Sequence, residues 1–219
     1  MALRVWLPLN GTLENKGISE LKTANIQSGV VIDNNGKIGK CYTNSGTTVS
    51  VSTPISISSS TFSMAAWVKI NTRRNNWCRA FGVSGNGTYA GLACENTNGT
   101  SIGFHYYKTI DGTSTAVFDT YPTTQVVGEW VHWTMCYDGT KYYVYKNGVL
   151  LTSGNARKAN IDFNMTTLYL FGGVANNYSQ CSLNDVRIYD HCLSPKEVKE
   201  ISQGLVLHYK LDGWSGGAG

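Results

Sequence analysis

The side chains able to do acid–base or nucleophilic chemistry are scattered in this sequence. Its six glutamates, Glu14, Glu20, Glu95, Glu129, Glu197 and Glu200, each stand apart from any carboxylate two positions away. Two carboxylates on one strand face let one act as acid while the other attacks or activates water. No serine sits on a strand-to-helix elbow in a Ser-His-Asp context, and no glycine-rich phosphate loop occurs. The cysteines, Cys41, Cys78, Cys94, Cys136, Cys181 and Cys192, include no C-x-x-C pair, and no His-x-His cluster accompanies them. Zinc is therefore not expected, and neither is an enzyme. What remains is the chemistry of recognition, with aromatic faces for stacking and amide or charged groups for hydrogen bonds. The stretch "RRNNWCR" offers Asn75, Asn76, Trp77 and Arg79, and "VANNYSQ" offers Asn176, Asn177 and Tyr178. Tyr107, Tyr143 and Tyr145 fall on positions alternate to core-facing neighbours. Each of these ten residues could equally be scaffold, because sandwich surfaces carry isolated tyrosines.

Strands must position such residues. Of the 219 residues 42% are apolar, 11% aromatic and only 15% charged, with 24 glycines. That balance suits many short strands joined by tight turns. Period-two alternation runs through "FSMAAWVKI" (62–70), "SIGFHYYK" (101–108), "EWVHWTMCY" (129–137), "KYYVYKNGVLL" (141–151), "TLYLFGG" (167–173) and "SLNDVRIYD" (182–190). Between strands lie "SGNG", "NTNGT", "IDGT", "YDGT" and "KNG", which accept positive φ and close hairpins. In "WVHWTMCYD", Val131, Trp133, Met135 and Tyr137 share a core face, and His132, Thr134 and Cys136 share the other. Trp67, Trp133, Tyr137 and Val186 are expected between the sheets, and Asp185 and Arg187 as a structural ion pair or a strand-end clamp. Only "SPKEVKEISQG" (194–204) reads as helix: Ser194 as N-cap, Pro195 at the first position, Glu197 completing a capping box, Gly204 as stop. The fold class is all-β, a two-sheet antiparallel sandwich with one short C-terminal helix.

The net charge of +4 gathers into no stripe; its densest cluster is Arg73, Arg74 and Arg79. A nucleic-acid partner is not expected. No run approaches the ~18–20 apolar residues that cross a bilayer, so no membrane partner is expected. Met1-Ala2-Leu3-Arg4 opens no secretory signal peptide. On that reading the chain is soluble, made in the cytosol, and reaches a virion or cell exterior by another route. The six cysteines are then free, mostly buried thiols.

Four motifs in order carry a resemblance. One hairpin holds Trp130, His132, Asp138, Gly139, Tyr145, Asn147 and Gly148; a closing strand runs Asn184, Asp185, Val186, Arg187, Ile188, Tyr189 into Leu193, Ser194 and the helix. "FSMAAWVKI" and "LRVWLPLNGTL" complete the set. Together they resemble the laminin-G-like jelly rolls of the concanavalin A-like lectin/glucanase superfamily. The resemblance implies a jelly-roll sandwich over residues 1–203. The remainder, 204–219, holds "GLVLHYKLDG", a rough copy of the opening "ALRVWLPLNG", and reads as a linker and the first strand of a following module. That strand is expected to pair with an exposed edge of this domain or of a neighbouring copy, the latter giving an oligomer.

Glucanases of this superfamily carry Glu-x-Asp-x-Glu on one strand, which is absent here. Calcium ligands in the family often include an acid near the chain start and the first Asp of the closing motif. Asn10 and Asn184 stand at those places. Amide oxygens bind the ion more weakly than carboxylates, so the expectation is no cofactor, or weak calcium at most. The resemblance implies a non-catalytic recognition module: the glycan-binding or host-adhesion part of a bacteriophage tail or virion-surface protein, with a cell-surface glycan or other virion subunits as partners. A purely structural decoration or spacer module and a secreted bacterial carbohydrate-binding module stay open as alternatives.

Overall fold

Turns of two or three residues join four of the antiparallel strand pairs among the described residues. The computed structural model describes residues 2–19, 25–26, 29–45, 51–72, 78–93, 101–159, 161–172 and 179–204. Trp77 with Asn75 and Asn76, Tyr178 with Asn176 and Asn177, Cys94, and the strand expected after Gly204 lie outside the described residues. The strands are β1 (Leu3–Leu7), β2 (Asn25–Ile26), β3 (Val30–Asp33), β4 (Cys41–Asn44), β5 (Val51–Ser59), β6 (Phe62–Ile70), β7 (Arg79–Gly85) and β8 (Thr88–Ala93). They continue as β9 (Ser101–Ile110), β10 (Thr113–Thr124), β11 (Trp130–Tyr137), β12 (Lys141–Lys146), β13 (Val149–Asn155), β14 (Phe163–Leu170) and β15 (Cys181–Tyr189), and helix α1 spans Pro195–Ser202. At the β12–β13 turn Asn147 and Gly148 both have positive φ, 51° and 80°. That is the hairpin geometry Asn-Gly favours because its twist matches the strands it joins.

The strands form two antiparallel sheets. The first runs β13-β12-β11-β6-β15-β4-β3 with β1 also on β15; the second runs β10-β9-β8-β7-β14-β5-β2. This is the jelly-roll sandwich expected. Alternation drives the inner faces together: Val131, Trp133, Met135 and Tyr137 of β11 meet Phe81, Leu92, Phe104 and Tyr106 of the second sheet in one core. Trp133 is fully buried and donates its indole N–H to Gln125 Oε1 at 2.8 Å, which satisfies its one polar atom. Val186 is buried in the same core.

Trp67 differs from the expectation. It is 7% exposed but stands outside the intersheet core. Phe62, Met64, Ala66 and Val68 take the inward positions of β6, so period two turns Trp67 outward, edge-on to His132 at 5.2 Å. Lys37 covers its ring at 4.7 Å.

The outer face of the first sheet is a second buried layer. Ala65, Cys136 and Tyr145 pack there against Tyr189, Leu193, Val198 and Ile201, which lays α1 on that face. The helix starts as read: Ser194 accepts from the Glu197 N–H, and Glu197 returns a bond to the Ser194 N–H. Beside it, Asp185 Oδ1 accepts from Arg187 Nε at 2.9 Å and from Trp6 Nε1 at 2.7 Å. The predicted ion pair is therefore present and buried. His132, Thr134 and Cys136 are each fully buried on this outer face.

Candidate functional site

Helix α1 leaves the outer face of the second sheet as the sandwich face with no helix over it, among the described residues. On β9 Ile102, Phe104 and Tyr106 point into the core, so Gly103, His105 and Tyr107 take the outward positions. Opposite them, Asp119 of β10 pairs with His105. The pairing depends on a bulge: the register shifts between Ala116 and Phe118. Val117 is the extra residue, buried at 0% exposure. Without it, every residue after Ala116 would fall on the opposite face.

Asp119 is the hub of this face. Its Oδ1 lies 2.7 Å from His105 Nδ1, and its Oδ2 accepts from the Tyr107 hydroxyl at 2.6 Å. Burial works to raise the Asp119 carboxyl, but hydrogen bonds from His105 and Tyr107, the His105 charge and Tyr121 together hold it below the usual range. Burial and the bond to Asp119 push the Tyr107 phenol up to about 12, so it remains a donor at neutral pH. Tyr121 is raised by the same two causes, and its ring meets His105 edge-on at 5.5 Å. Next to this group, the Arg79 guanidinium stacks over Tyr89 at 4.1 Å. Among the described residues no carboxylate pairs with Arg79, and its Nε is buried without a hydrogen-bond partner.

Glycines let these rings lie flat on the sheet. A Cβ at Gly91 would meet the Tyr89 hydroxyl at 2.6 Å, and one at Gly82 would meet it at 2.8 Å. A Cβ at Gly103 would strike His105 Nε2 at 2.7 Å and Tyr121 at 2.8 Å. The result is a patch in which half-buried Arg79, Tyr107, Asp119 and Tyr121 lie against buried Tyr89 and His105.

The sequence-predicted residues divide between the two outer faces. Arg79 and Tyr107 belong to the surface just described. Tyr143 and Tyr145 lie on the far side of the sandwich, where they line a cleft of about 710 Å³ with Asp138, His191, Cys192 and Glu197. One site cannot hold all four. Tyr145 is 3% exposed within the layer under α1. Its ring therefore offers little free face, because the layer under α1 covers it. Tyr143 donates to Asp138 Oδ2 at 2.9 Å. The carboxylates of the cleft already serve structure: Asp138 Oδ1 accepts from Thr140 and Lys141 of its own turn, and Glu197 caps α1. Asn75, Asn76, Trp77, Asn176, Asn177 and Tyr178 belong to segments outside the described residues. Tyr89, His105, Asp119 and Tyr121 were not singled out from sequence. The alternation of "GFHYYK", which sets His105 on the same face as Tyr107, is the signal that would have found His105, but only the bulge assigns Asp119 to it.

Calcium does not fit the residues at the family's position. Asn184 Oδ1 accepts from the Ile38 N–H at 2.7 Å, and its Nδ2 donates to Pro8 and Lys40 carbonyls at 2.8 and 3.0 Å. The amide is spent on tying the 8–11 and 37–40 stretches to β15. Among the described residues no three His, Cys, Asp or Glu side chains are grouped as metal ligands.

Residues 43–199 match a laminin G family model described as the concanavalin A-like lectin/glucanases superfamily. The chain belongs to that superfamily. Among solved structures it is similar to domain 4 of AbnA, a GH43 extracellular arabinanase from Geobacillus stearothermophilus, in complex with arabinotriose. The TM-score is 0.71 and the identity 19%, over 92% of this chain and 98% of that one. It is also similar to the binding domain of botulinum neurotoxin serotype G, with TM-score 0.69 and 15% identity over 93% of this chain. The receptor binding domain of botulinum neurotoxin D gives TM-score 0.70 and 13% identity over 94%. The chain spans about half of each toxin domain, 51% and 53%. At these identities the likeness is one of fold. A comparison with curated proteins found no match.

Proposed function

We propose that this superfamily member is a non-catalytic glycan-recognition module that binds through the outer face of its second sheet. The observation that carries the reading is the half-buried Arg79–Tyr107–Asp119–Tyr121 patch, backed by buried Tyr89 and His105. Phenol rings offer stacking area to sugar C–H faces, while Arg79 and Asp119 offer a donor and an acceptor for hydroxyls. Superfamily membership supports it, as does the likeness to an arabinanase domain held in complex with arabinotriose. Asp119, kept ionised by its hydrogen bonds, is an acceptor rather than a proton donor, and glycoside hydrolysis calls for a second carboxylate beside it. A cell-surface glycan is the partner this reading names, and host adhesion by a phage tail or virion-surface protein is the setting proposed from the sequence motifs.

A glycan array followed by calorimetric titration tests the proposal. The expected result is binding to one glycan class, weakened about tenfold or more (~1.4 kcal/mol) in both Arg79→Ala and Tyr121→Ala with melting little changed. No binding across the array would favour the structural spacer. Binding lost in Tyr143→Ala and kept in the other two would move the site to the opposite face.

A further inference from the structure

Cys136 and Cys192 lie far apart in sequence and together in the fold. Cys136 is fully buried on the outer face of the first sheet, in the cluster against which Cys192 packs. Its neighbour across β11 and β6 is Ser63. The Ser63 hydroxyl donates to the His191 carbonyl at 2.8 Å and accepts from the Leu193 N–H at 2.9 Å. The backbone on both sides of Cys192 is thus pinned to the residue paired with Cys136, which places Cys192 against the cluster that holds Cys136. Both thiols are free. Cys192 is half-buried and opens into the cleft of about 710 Å³ beside Tyr143 and His191. A reagent entering that cleft reaches Cys192 first and Cys136 only through it.

We infer that Cys136 and Cys192 form a redox-convertible dithiol, closed to an intramolecular disulfide by a small disulfide oxidant of the glutathione type. The Cys192 thiolate attacks one sulfur of the oxidant and gives a mixed disulfide with release of one thiolate. Cys136 loses its proton to solvent and attacks Cys192 Sγ, expelling the second thiolate. The protein loses two hydrogens as the oxidant disulfide is reduced to two thiols. Two further features favour this order. The hydrogen bond from Cys136 brings the Cys192 thiol below its ordinary range, while burial holds the Cys136 thiol well above it. Attack begins with the more acidic and more accessible thiol. The bond would staple the segment entering α1 to β11, one of the central strands of the first sheet. This inference stands independently of glycan binding.

The test uses the whole chain, purified reduced, then incubated with oxidised glutathione. Non-reducing digestion and mass spectrometry should recover one cross-linked pair holding Cys136 and Cys192. Thiol titration in denaturant should fall by two. Melting should rise by about 5–15 °C, as expected for a cross-link closing a long loop, and dithiothreitol should reverse the rise. Cys192→Ser should show none of these changes, and Cys136→Ser should stop at a glutathione adduct on Cys192; circular dichroism checks that both variants fold. Full recovery of all six thiols, a stable glutathione adduct on Cys192 of the unmodified chain, or a bond from Cys192 to another cysteine would overturn the proposal.

Discussion

His132 is the residue whose protonation matters most to this fold. It is fully buried against Trp67. Burial, reinforced by the nearby Arg187 charge, pushes its imidazole down from 6.5 to about 3. The unfolded chain therefore binds a proton between those two values that the folded chain refuses. Stability from this group is complete above pH ~6.5 and is lost as pH falls, by up to ~1.4 kcal/mol per unit. Urea unfolding of the wild-type chain should lose about 1.5–2 kcal/mol more than His132→Gln between pH 6.5 and pH 5. Equal losses would mean that His132 charges without unfolding. The sequence showed that His132 leaves the core face of β11, but not that this face is buried too. Strand periodicity tells which residues share a face; what covers that face depends on helix docking. The same gap explains Trp67, expected between the sheets and found on the outer face beneath Lys37, and the cover over Tyr145, which alternation does not show. It also explains Asp119, whose side of the sheet is decided by one unpaired residue at Val117.

Among the elements, α1 was the most legible, because its signals are local. Ser194, Pro195 and Glu197 specify the start, and the capping bonds are present as expected. Ser194→Ala removes them and should cost ~1 kcal/mol, within the 0.5–2 range for N-caps, read as a lower urea midpoint with an unchanged slope. An unchanged midpoint would show that packing of Val198 and Ile201 alone holds the helix. Strands β5, β7, β8 and β10 were less legible, being rich in Ser, Thr and Gly, so apolar alternation is faint in them, and β3 and β4 are only four residues long. In β5 the inward residues are Val51, Thr53, Ile55 and Ile57, separated by serines and Pro54. Glycines in β7 and β8 have a positive use, since Tyr89 lies over Gly82 and Gly91. Gly91→Ala should force Tyr89 off the sheet and destabilise the domain by ~1–3 kcal/mol, as overpacking does, measurable by denaturant unfolding. A neutral result would mean that Tyr89 has room to move.

At the scale of the whole molecule, the sandwich was legible because several motifs in order agreed with the period-two pattern. The division of its two outer faces was not. Tyr107, Tyr143 and Tyr145 all alternate with core residues, and only the sheet order places Tyr107 on one side and the other two on the reverse. One outer face carries α1, the Trp6–Asp185–Arg187 network and the cleft beside Tyr143; the other carries rings, a cation and an ionised acceptor. That asymmetry supports the proposal that recognition belongs to the second sheet. It is tested most directly by amide and aromatic chemical-shift mapping of the labelled chain with the glycan selected on the array. Saturable shifts are expected at Arg79, Tyr89, His105, Tyr107, Asp119 and Tyr121, with Tyr143, His191 and α1 unmoved. Shifts confined to the Tyr143 and α1 side, with the second sheet silent, would contradict it.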